Sequence, residues 1–554
     1  MNGLPQPANY RPETAILSLG TPFYDAVEAA DFPQAILRFR NDRAAAAVGL
    51  ETLSDTEWVR HFGRFEPLPD SLPEPLALRY HGHQFRTYNP DIGDGRGFLF
   101  AQLRDREGRL LDLGTKGSGQ TPYSRFGDGR LTLKGGVREI LATEMLEALG
   151  VGTSKTFSLI ETGEALHRGD EPSPARSAVL VRLSHGHIRI GTFQRLAYHQ
   201  DADAMRRLTD YCLTHFFGEA GGEDGPARLF GHVARGCARL AASYIAAGFV
   251  HGVLNTDNIN VTAESFDYGP WRFTPMWDGH FTAAYFDQTG LYSFGRQPEA
   301  IHWNLVQLAA ALRLIAEAEA LTPMIEAFPD LFRSELAGAM LWRLGVSPKS
   351  PAEDAALLIA IERALSEKTV TIDRFFFDWR GGRLRRANGG ARETGPMQDP
   401  GGVADEAQAS EAAEVAHKPG AAGEPAAFAA SSYKDTPYKA PYKEHPYESG
   451  AFAAFREAVA GYEAAWDDAG WDNRAAGAYG VADSGPTSGR ETRPGHPAAS
   501  SVCSHPYWSD AEPCSLHIEE VEAIWAAINE QDDWSPLQDK IAAIRRMGEA
   551  MRGA

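Results

Sequence analysis

The sequence predicts an α+β protein in which a β-rich part precedes a helical part. Two patterns indicate this order. Between about residues 92 and 184, glycine turns alternate with short apolar segments, as in strands joined by hairpins. From about residue 200 to 385, apolar residues recur at helical spacing. The length of 554 residues suits two or three domains.

The β-rich part begins at the glycine-rich turn IGDGRG, residues 92–97. Strands are predicted in FLFAQLRD (98–105), LLDLGTKG (110–117), SLIETGEAL (158–166) and SAVLVRLS (177–184). Between the second and third strands, apolar residues from Val137 to Leu149 follow helical spacing, and Gly150 ends the predicted helix.

The helical part continues into a tail of different composition. Helices are predicted at 205–217, 227–249, 301–320, 449–466, 517–529 and 535–551. The segment 301–320 is expected to be one continuous core helix. Residues 391–432 are rich in Ala, Gly, Pro and Glu with few large apolar side chains, which predicts a disordered linker. Residues 433–554 are predicted to be a helical C-terminal region with a loose segment near 470–505.

Composition and charge limit the possible partners. The net charge of −20 argues against nucleic acid or an anionic membrane as the main partner, because phosphate groups require a basic surface. No signal peptide and no membrane span are recognised, so we expect a cytoplasmic protein. The four cysteines form no C-x-x-C pair, which indicates reduced thiols, with Cys503 and Cys514 as candidates for a redox role.

The order of elements in the β-rich part is that of a protein-kinase N-terminal lobe. A glycine turn, a strand, a hairpin, a strand with Lys116 and a helix with Glu139 follow one another. In that layout the lysine reaches nucleotide phosphates and the glutamate pairs with it. We therefore predict a protein-kinase-like bilobal fold, with residues 1–90 as an N-terminal extension packed on the core, 91–200 as the N-lobe and 201–390 as the C-lobe.

The segment HGVLNTDN, residues 251–258, resembles a kinase catalytic loop that lacks one residue. Kinase-like enzymes often carry H-G-D-L-x-x-x-N, in which the aspartate accepts a proton and the asparagine holds a metal ion. Here Val253 occupies the aspartate position. Asn258 and Asp267, the latter in D-Y-G, would chelate Mg²⁺ or Mn²⁺. The alternative for N-T-D-N is an ordinary turn.

Arginines and a second glycine turn complete the candidate phosphate site. Arg182 and Arg189 could neutralise a polyphosphate, although surface arginines near a strand end are an equal alternative. The tetrapeptide GDGR occurs at 93–96 and 127–130 and suits either backbone contact with phosphates or two tight turns. The histidine pairs H-G-H at 81–83 and 185–187 are expected to be structural or close to phosphates.

Taken together, the motifs resemble the selenoprotein O family. The matching segments are HGHQF (81–85), GDGRG (93–97), LGTKGSGQTPYSRFGDGR (113–130), GGVREIL (135–141), HIRIGTF (187–193), HGVLNTDN (251–258), FDYGP (266–270) and FGRQPEAIHWNL (294–305). The family consists of kinase-fold protein adenylyltransferases with family-specific N- and C-terminal extensions. Its members bind ATP in a flipped orientation, so that AMP passes to Ser, Thr or Tyr hydroxyls and pyrophosphate leaves.

The resemblance implies a role for each matched residue. Asp257 would accept the proton, and Asn258 and Asp267 would hold Mg²⁺ or Mn²⁺. Glu139 would pair with Lys116 to fix its geometry. The residues expected to contact the nucleotide are Gly93, Gly95, Arg96, Lys116, Asp128, Gly129, Arg182, Arg189 and Asp267. The expected partners are ATP and proteins with acceptor hydroxyls, including the protein itself, and neither nucleic acid nor membrane.

Several alternatives stay open at this point. Asp257 could orient the metal ion without acting as a base. The protein could transfer the γ-phosphate, as an ordinary kinase does, although Val253 argues against that. It could also be a non-catalytic nucleotide-binding scaffold. The chain departs from some family members because it has no cysteine close to its C-terminus, where the sequence reads IRRMGEAMRGA.

Overall fold

The computed structural model describes residues 9–169, 172–385, 446–465 and 504–553. Within them, α-helices and antiparallel sheet occur together, which confirms the predicted α+β class. The linker predicted at 391–432, most of the loose segment near 470–505 and Cys503 lie outside the described residues. No helix among the described residues has the length and apolar character that a membrane span requires.

Most strands join one large sheet. The strands are β1 (Pro12–Glu13), β2 (Tyr24–Ala26), β3 (Ile36–Arg40), β4 (Leu76–Leu78), β5 (Gly82–Gln84), β6 (Thr87–Asn89), β7 (Leu99–Arg104), β8 (Leu110–Lys116), β9 (Leu131–Thr132), β10 (Lys155–Leu166), β11 (Ala175–Ser184), β12 (Phe249–His251) and β13 (Trp271–Phe273). The sheet has the order β2-β4-β7-β8-β11-β10-β3, with β1 on β7 and β9 on β11. β5 pairs with β6, and β12 pairs with β13.

Of the α-helices in the described residues, ten come after the last strand of the large sheet and three come before it. They are α1 (Asp42–Ala47), α2 (Asp55–Phe62), α3 (Leu133–Ala148), α4 (Ile190–Tyr198), α5 (Ala202–Phe217), α6 (Gly225–Ala247), α7 (Gln297–Leu312), α8 (Ala318–Leu344), α9 (Pro351–Leu365), α10 (Ile372–Asp378), α11 (Gly450–Val459), α12 (Ile518–Gln531) and α13 (Ser535–Arg552). Of the three earlier helices, α1 and α2 lie between β3 and β4 and cover one face of the sheet, and α3 lies between β9 and β10.

The predicted strands and the predicted first helix are found close to their expected positions. α3 starts at Leu133, four residues before the prediction, because the Thr132 side chain accepts a hydrogen bond from Gly135 N and caps the helix there. Gly150, with φ of +80°, follows the helix end as expected. Strands from the first 90 residues and strands from residues 91–200 lie in the same sheet.

The prediction of one helix over residues 301–320 is wrong. α7 ends at Leu312 and α8 begins at Ala318, and the residue before α8, Glu317, is extended with ψ of 153°. Both helices pack against α6, so the chain must reverse between them. Leu314 and Ile315, in the connection, pack against the apolar core. Their burial explains why the segment shows apolar spacing without being helical.

The C-terminal helices α12 and α13 lie against α3. Arg545 on α13 donates from Nε and Nη2 to the two carboxylate oxygens of Glu144 on α3, at 2.8 and 2.6 Å. Lys134 on α3 donates to Glu522 on α12 at 2.7 Å. Gly548 approaches so closely that an added Cβ would lie 3.2 Å from Ala148 Cα. The end of the described chain therefore supports the helix that carries Glu139.

We expect the substitution Arg545→Ala to lower the free energy of unfolding by about 1–3 kcal/mol, because a buried carboxylate would lose two charge-assisted bonds. Glu144 has a side chain that is only 4% exposed, and its other cation, Arg43, is 3.5 Å away. Thermal and urea unfolding would measure the loss. The control is Arg333→Ala, whose partner Asp330 is exposed and for which we expect at most about 1 kcal/mol. Equal stability of the two variants would contradict the proposed support.

Candidate active site

Three charged side chains from different parts of the chain meet at the end of β8. Lys116 Nζ donates to Glu139 Oε1 of α3 at 2.5 Å and lies 2.6 Å from Asp267 Oδ1. Lys116 and Glu139 are buried, and the Asp267 side chain is 25% exposed. Buried charges are stable only when they are paired, so each member fixes the others. The predicted Lys116–Glu139 contact is present.

Asp267 has an unusual backbone and an unusual charge environment. Its φ is +61°, a conformation that residues other than glycine rarely adopt. Burial would raise the pKa of its carboxyl, but Lys116, Arg182 and Arg189 outweigh burial and hold this pKa well below its usual range. Asp267 therefore stays ionised at physiological pH.

The two predicted arginines lie beside Asp267 and are buried. Arg182 Nη1 is 3.6 Å from Asp267 Oδ1. Arg189 donates to the Asp257 backbone oxygen at 2.9 Å and to Asp94 Oδ1 at 3.1 Å. Two of their buried donors, Arg182 Nη1 and Arg189 Nε, have no hydrogen-bond partner among the described residues. Buried donors without partners favour an anionic ligand at this position.

The segment that resembles a catalytic loop connects β12 to β13. Because these strands pair, residues 252–270 form a closed loop that carries Asp257, Asn258 and Asp267. Asn258 Nδ2 donates to the Val253 backbone oxygen at 2.9 Å, which leaves Asn258 Oδ1 as the free end of the amide. The side chain of Val253 has no group that can accept a proton, and its backbone oxygen orients the asparagine.

Asp257 is a buried carboxyl that faces the cavity. Burial raises its pKa to about 6, and Asp267 adds to the effect while Arg189 opposes it. Its Oδ1 atom is buried without a hydrogen-bond partner among the described residues. A Cβ at Gly82 would lie 3.0 Å from this oxygen, so only glycine gives the carboxyl its present room.

The hairpin formed by β5 and β6 holds the loop in place, a role that the sequence did not reveal. Thr256 Oγ1 accepts a bond from His83 N at 2.7 Å and donates to Gln194 Oε1 at 2.6 Å. Asn255 Oδ1 accepts bonds from Phe85 N at 3.1 Å and from the Tyr292 hydroxyl at 2.7 Å. Both residues directly before Asp257 are therefore anchored.

These groups surround one cavity of about 630 Å³. All the residues predicted to contact the nucleotide line it, as does Asp257, while Glu139 and Asn258 lie outside its wall. The lining includes seven lysine or arginine side chains, namely Arg96, Lys116, Arg125, Arg130, Arg168, Arg182 and Arg189. It includes four aspartates, Asp94, Asp128, Asp257 and Asp267. A positive excess in a protein of net charge −20 favours a polyanionic ligand.

The two GDGR turns both line the cavity. A Cβ at Gly93 would lie 2.5 Å from the Tyr123 ring, so this glycine is required by packing. Gly129 has φ of +71°, which favours glycine, and it lies close to the Gly119 backbone. Asp128 accepts bonds from Arg168 at 2.7 and 3.2 Å, which makes Arg168 a cavity residue that no motif had indicated.

The oxygen atoms of the site suit a divalent cation whose other ligands would be phosphate oxygens. Asp267 and Asn258 offer hard oxygen atoms, and the buried Oδ1 atom of Asp257 has no hydrogen-bond partner among the described residues. Within the described part of the chain, no three His, Cys, Asp or Glu side chains cluster to hold a metal ion by themselves. The residues therefore fit Mg²⁺ or Mn²⁺ only as ions completed by phosphate oxygens and water.

The cysteines of the described residues and two of the motif histidines, His83 and His187, lie among other protein groups. Burial raises the pKa of Cys514 to about 11, so its thiol is protonated at neutral pH. Cys212 and Cys237 are buried, and Cys514 is half-buried. His83 contacts Gln194 at 2.7 Å, and His187 lies 3.3 Å from Asp112.

We expect Lys116→Met to weaken binding of ATP, the ligand predicted from the sequence, by about tenfold or more, because a charge-assisted contact to phosphate is lost. Titration calorimetry would measure the dissociation constant. Lys368→Met is a matched control, because Lys368 pairs with Asp278 outside the cavity. Unchanged affinity in Lys116→Met would separate this lysine from the ligand.

Comparison with known proteins agrees with the geometry. A sequence model of the family described as protein adenylyltransferase SelO matches residues 7–388. A protein nucleotidyltransferase YdiU from Synechocystis is 50% identical over 341 residues, which cover 60% of this chain and 71% of the relative. One from Synechococcus elongatus is 51% identical over 339 residues, covering 60% and 68%.

A more distant relative extends the match. The protein nucleotidyltransferase YdiU from Azotobacter vinelandii is 36% identical over 361 residues, covering 65% of this chain and 73% of the relative. The family model spans more than half of the chain and contains every residue of the cavity described above. The chain therefore belongs to the SelO family and is a nucleotidyltransferase.

Proposed function

We propose that the protein transfers AMP from ATP to Ser, Thr or Tyr hydroxyls of proteins, including its own, and releases pyrophosphate. The observation that carries this proposal is the position of the two carboxyls that the loop presents to the cavity. Val253 stands where a kinase has its proton acceptor, whereas Asp257 and Asp267 line the cavity. A proton acceptor displaced in this way suits attack at a different phosphate.

The reaction follows from the cavity residues. The acceptor oxygen attacks the α-phosphorus, and a new P–O bond forms as the bond from that phosphorus to the bridging oxygen of the β-phosphate breaks. Pyrophosphate leaves with the bonding electron pair, and the hydroxyl proton passes to the Asp257 carboxylate. Lys116, Arg182 and Arg189 neutralise the charge on the phosphates, which is the main contribution expected in such transfers.

Asn258 and Asp267 would hold Mg²⁺ or Mn²⁺, which would add charge neutralisation at the triphosphate. The protein itself orients the oxygen atoms of these two side chains. The Val253 carbonyl fixes the Asn258 amide, and Lys116 fixes Asp267.

We also propose that the sheet and the helices form the two lobes of a kinase-like fold. The contact between Lys116 on β8 and Glu139 on α3 supports this assignment. In this division residues 1–90 form an N-terminal extension packed on the core, residues 91–200 the N-lobe and residues 201–390 the C-lobe. Residues 433–554 form a C-terminal region, of which α12 and α13 contact α3.

The proposal predicts which phosphate is transferred. Purified protein incubated with Mg²⁺ or Mn²⁺ should retain label from ATP labelled on the α-phosphate and none from ATP labelled on the γ-phosphate. Intact mass should increase by one AMP group for each modified site. Asp267→Ala should abolish labelling, because it removes a metal ligand. Label from the γ position would instead identify a kinase, and ATP binding with no label from either would favour a scaffold.

A second prediction separates the two possible roles of Asp257. If it accepts the proton, Asp257→Asn should reduce the rate of AMP transfer by roughly 100-fold or more, with ATP affinity kept within about threefold. Single-turnover kinetics and calorimetry would measure both quantities. Asp91→Asn, an exposed position outside the cavity, is the control. A parallel loss of metal-dependent ATP affinity would mean that Asp257 orients the metal ion.

A further inference from the structure

Four aromatic rings form a continuous strip beside the loop that carries Asp257. In order they are Tyr292, Phe85, Phe286 and Tyr285, and we call them the aromatic strip. Successive ring centroids are 5.1, 5.8 and 5.2 Å apart. The residues become more exposed along this order, from 4% through 36% and 45% to 82%. The strip therefore leads from the protein interior to solvent.

The inner end of the strip is bonded to the catalytic loop. The Tyr292 hydroxyl and the Phe85 backbone N–H both donate to Asn255 Oδ1, two residues before Asp257. Gln84, adjacent to Phe85, lines the cavity itself. The aromatic strip is thus continuous with the side of the cavity where Asp257 lies.

The hairpin turn between β5 and β6 is not built from the residues that such a turn favours. Its two central residues, Phe85 and Arg86, have φ of +48° and +61°. A two-residue turn with both φ values positive strongly prefers Asn-Gly. Phe85 packs in the strip, while Arg86 lies over the Trp303 ring and pairs with Glu299 at 2.8 Å. Local backbone preference therefore does not explain these side chains, and strain of this kind is concentrated at functional sites.

Exposed apolar side chains are concentrated around the site. Ten large hydrophobic side chains are exposed among the described residues. Three of them, Phe85, Tyr285 and Phe286, belong to the strip, and a fourth, Phe126, lies on the second glycine turn of the cavity. A group of exposed aromatic side chains beside a reactive cavity is typical of a binding surface.

We propose that the aromatic strip binds the polypeptide that presents the acceptor hydroxyl, by packing against an apolar side chain close to that hydroxyl; this inference rests on the proposed function. The strip lies outside the cavity that would hold ATP. A ligand that binds the strip and also receives AMP must therefore extend from the strip into the cavity. The exposed part of the strip's ring-to-ring path, from Phe85 through Phe286 to Tyr285, is at most about 11 Å and matches roughly three residues of extended chain. A single amino acid would not span this length, whereas a peptide would.

The test uses peptides of about ten residues that contain one acceptor hydroxyl and either leucine or glycine at each position within four residues of it. AMP transfer from α-labelled ATP would give kcat/KM for each peptide. We expect wild-type protein to prefer one or more leucine peptides by about tenfold over the all-glycine peptide. The double variant Tyr285→Ser, Phe286→Ser should lose that preference through KM, with ATP affinity unchanged.

Ile359→Ser provides the matched control, because Ile359 is exposed on α9, away from the cavity, and should leave the preference unchanged. A double variant that keeps the leucine preference would overturn the inference. So would wild-type protein that transfers AMP to all peptides equally, and in that case the proposed function survives. Wild-type protein that binds ATP but labels no peptide and does not label itself would defeat both.

The same variants exclude a rival occupant. If the aromatic strip were a contact between two copies of the chain, sedimentation would show wild-type oligomers that the double variant loses, with the peptide preference intact. That combination would also overturn the inference. The expected result is identical sedimentation of the wild type, the double variant and the control.

Discussion

The buried contact among Lys116, Glu139 and Asp267 constrains much of the structure. Each residue comes from a different element, a strand, a helix and the loop between β12 and β13. Because an unpaired charge in this position would be strongly unfavourable, α3 must face β8 and the loop must lie over both. The same contact fixes the distance between the two proposed lobes at the cavity. The C-terminal helices strengthen the arrangement by holding α3 from its other side.

The sequence predicted those elements that carry local signals. β7, β8, β10 and β11 are long enough for their apolar pattern and turns to identify them. Of the N-terminal strands in the large sheet, β1, β2 and β4 have only two or three residues, too few for a visible pattern, and β3, with five, pairs with β10 far along the chain. The prediction of one helix over 301–320 was wrong because apolar residues continue through the connection between α7 and α8. The break there follows from the packing of both helices against α6. No local pattern distinguishes that break from a continuous helix.

The sequence predicted the part of the site that follows from the order of the motifs. The order of the motifs pointed to Lys116, Arg182, Arg189 and Asp267, and these residues line one cavity. The residues that position them were not found, because their contacts join distant segments. Asn255 accepts a bond from a residue 170 positions earlier, and Asp94 pairs with Arg189 across 95 positions. Such pairs produce no recognisable spacing pattern in the sequence, so they are seen only in the folded chain.

The excess of positively charged side chains in the cavity also affects the rate at which a polyanion binds. At physiological ionic strength charges are screened over about 8 Å, so the field of the cavity acts on a diffusing polyanion only near its mouth. The rest of this acidic protein repels the same ligand. Added salt screens this repulsion as well as the attraction at the mouth, so the two effects on the arrival of the nucleotide oppose each other, whereas the proposed buried contacts with the arginines are screened little. Multivalent buffer anions would be attracted by the same positive side chains and would compete with the nucleotide for them.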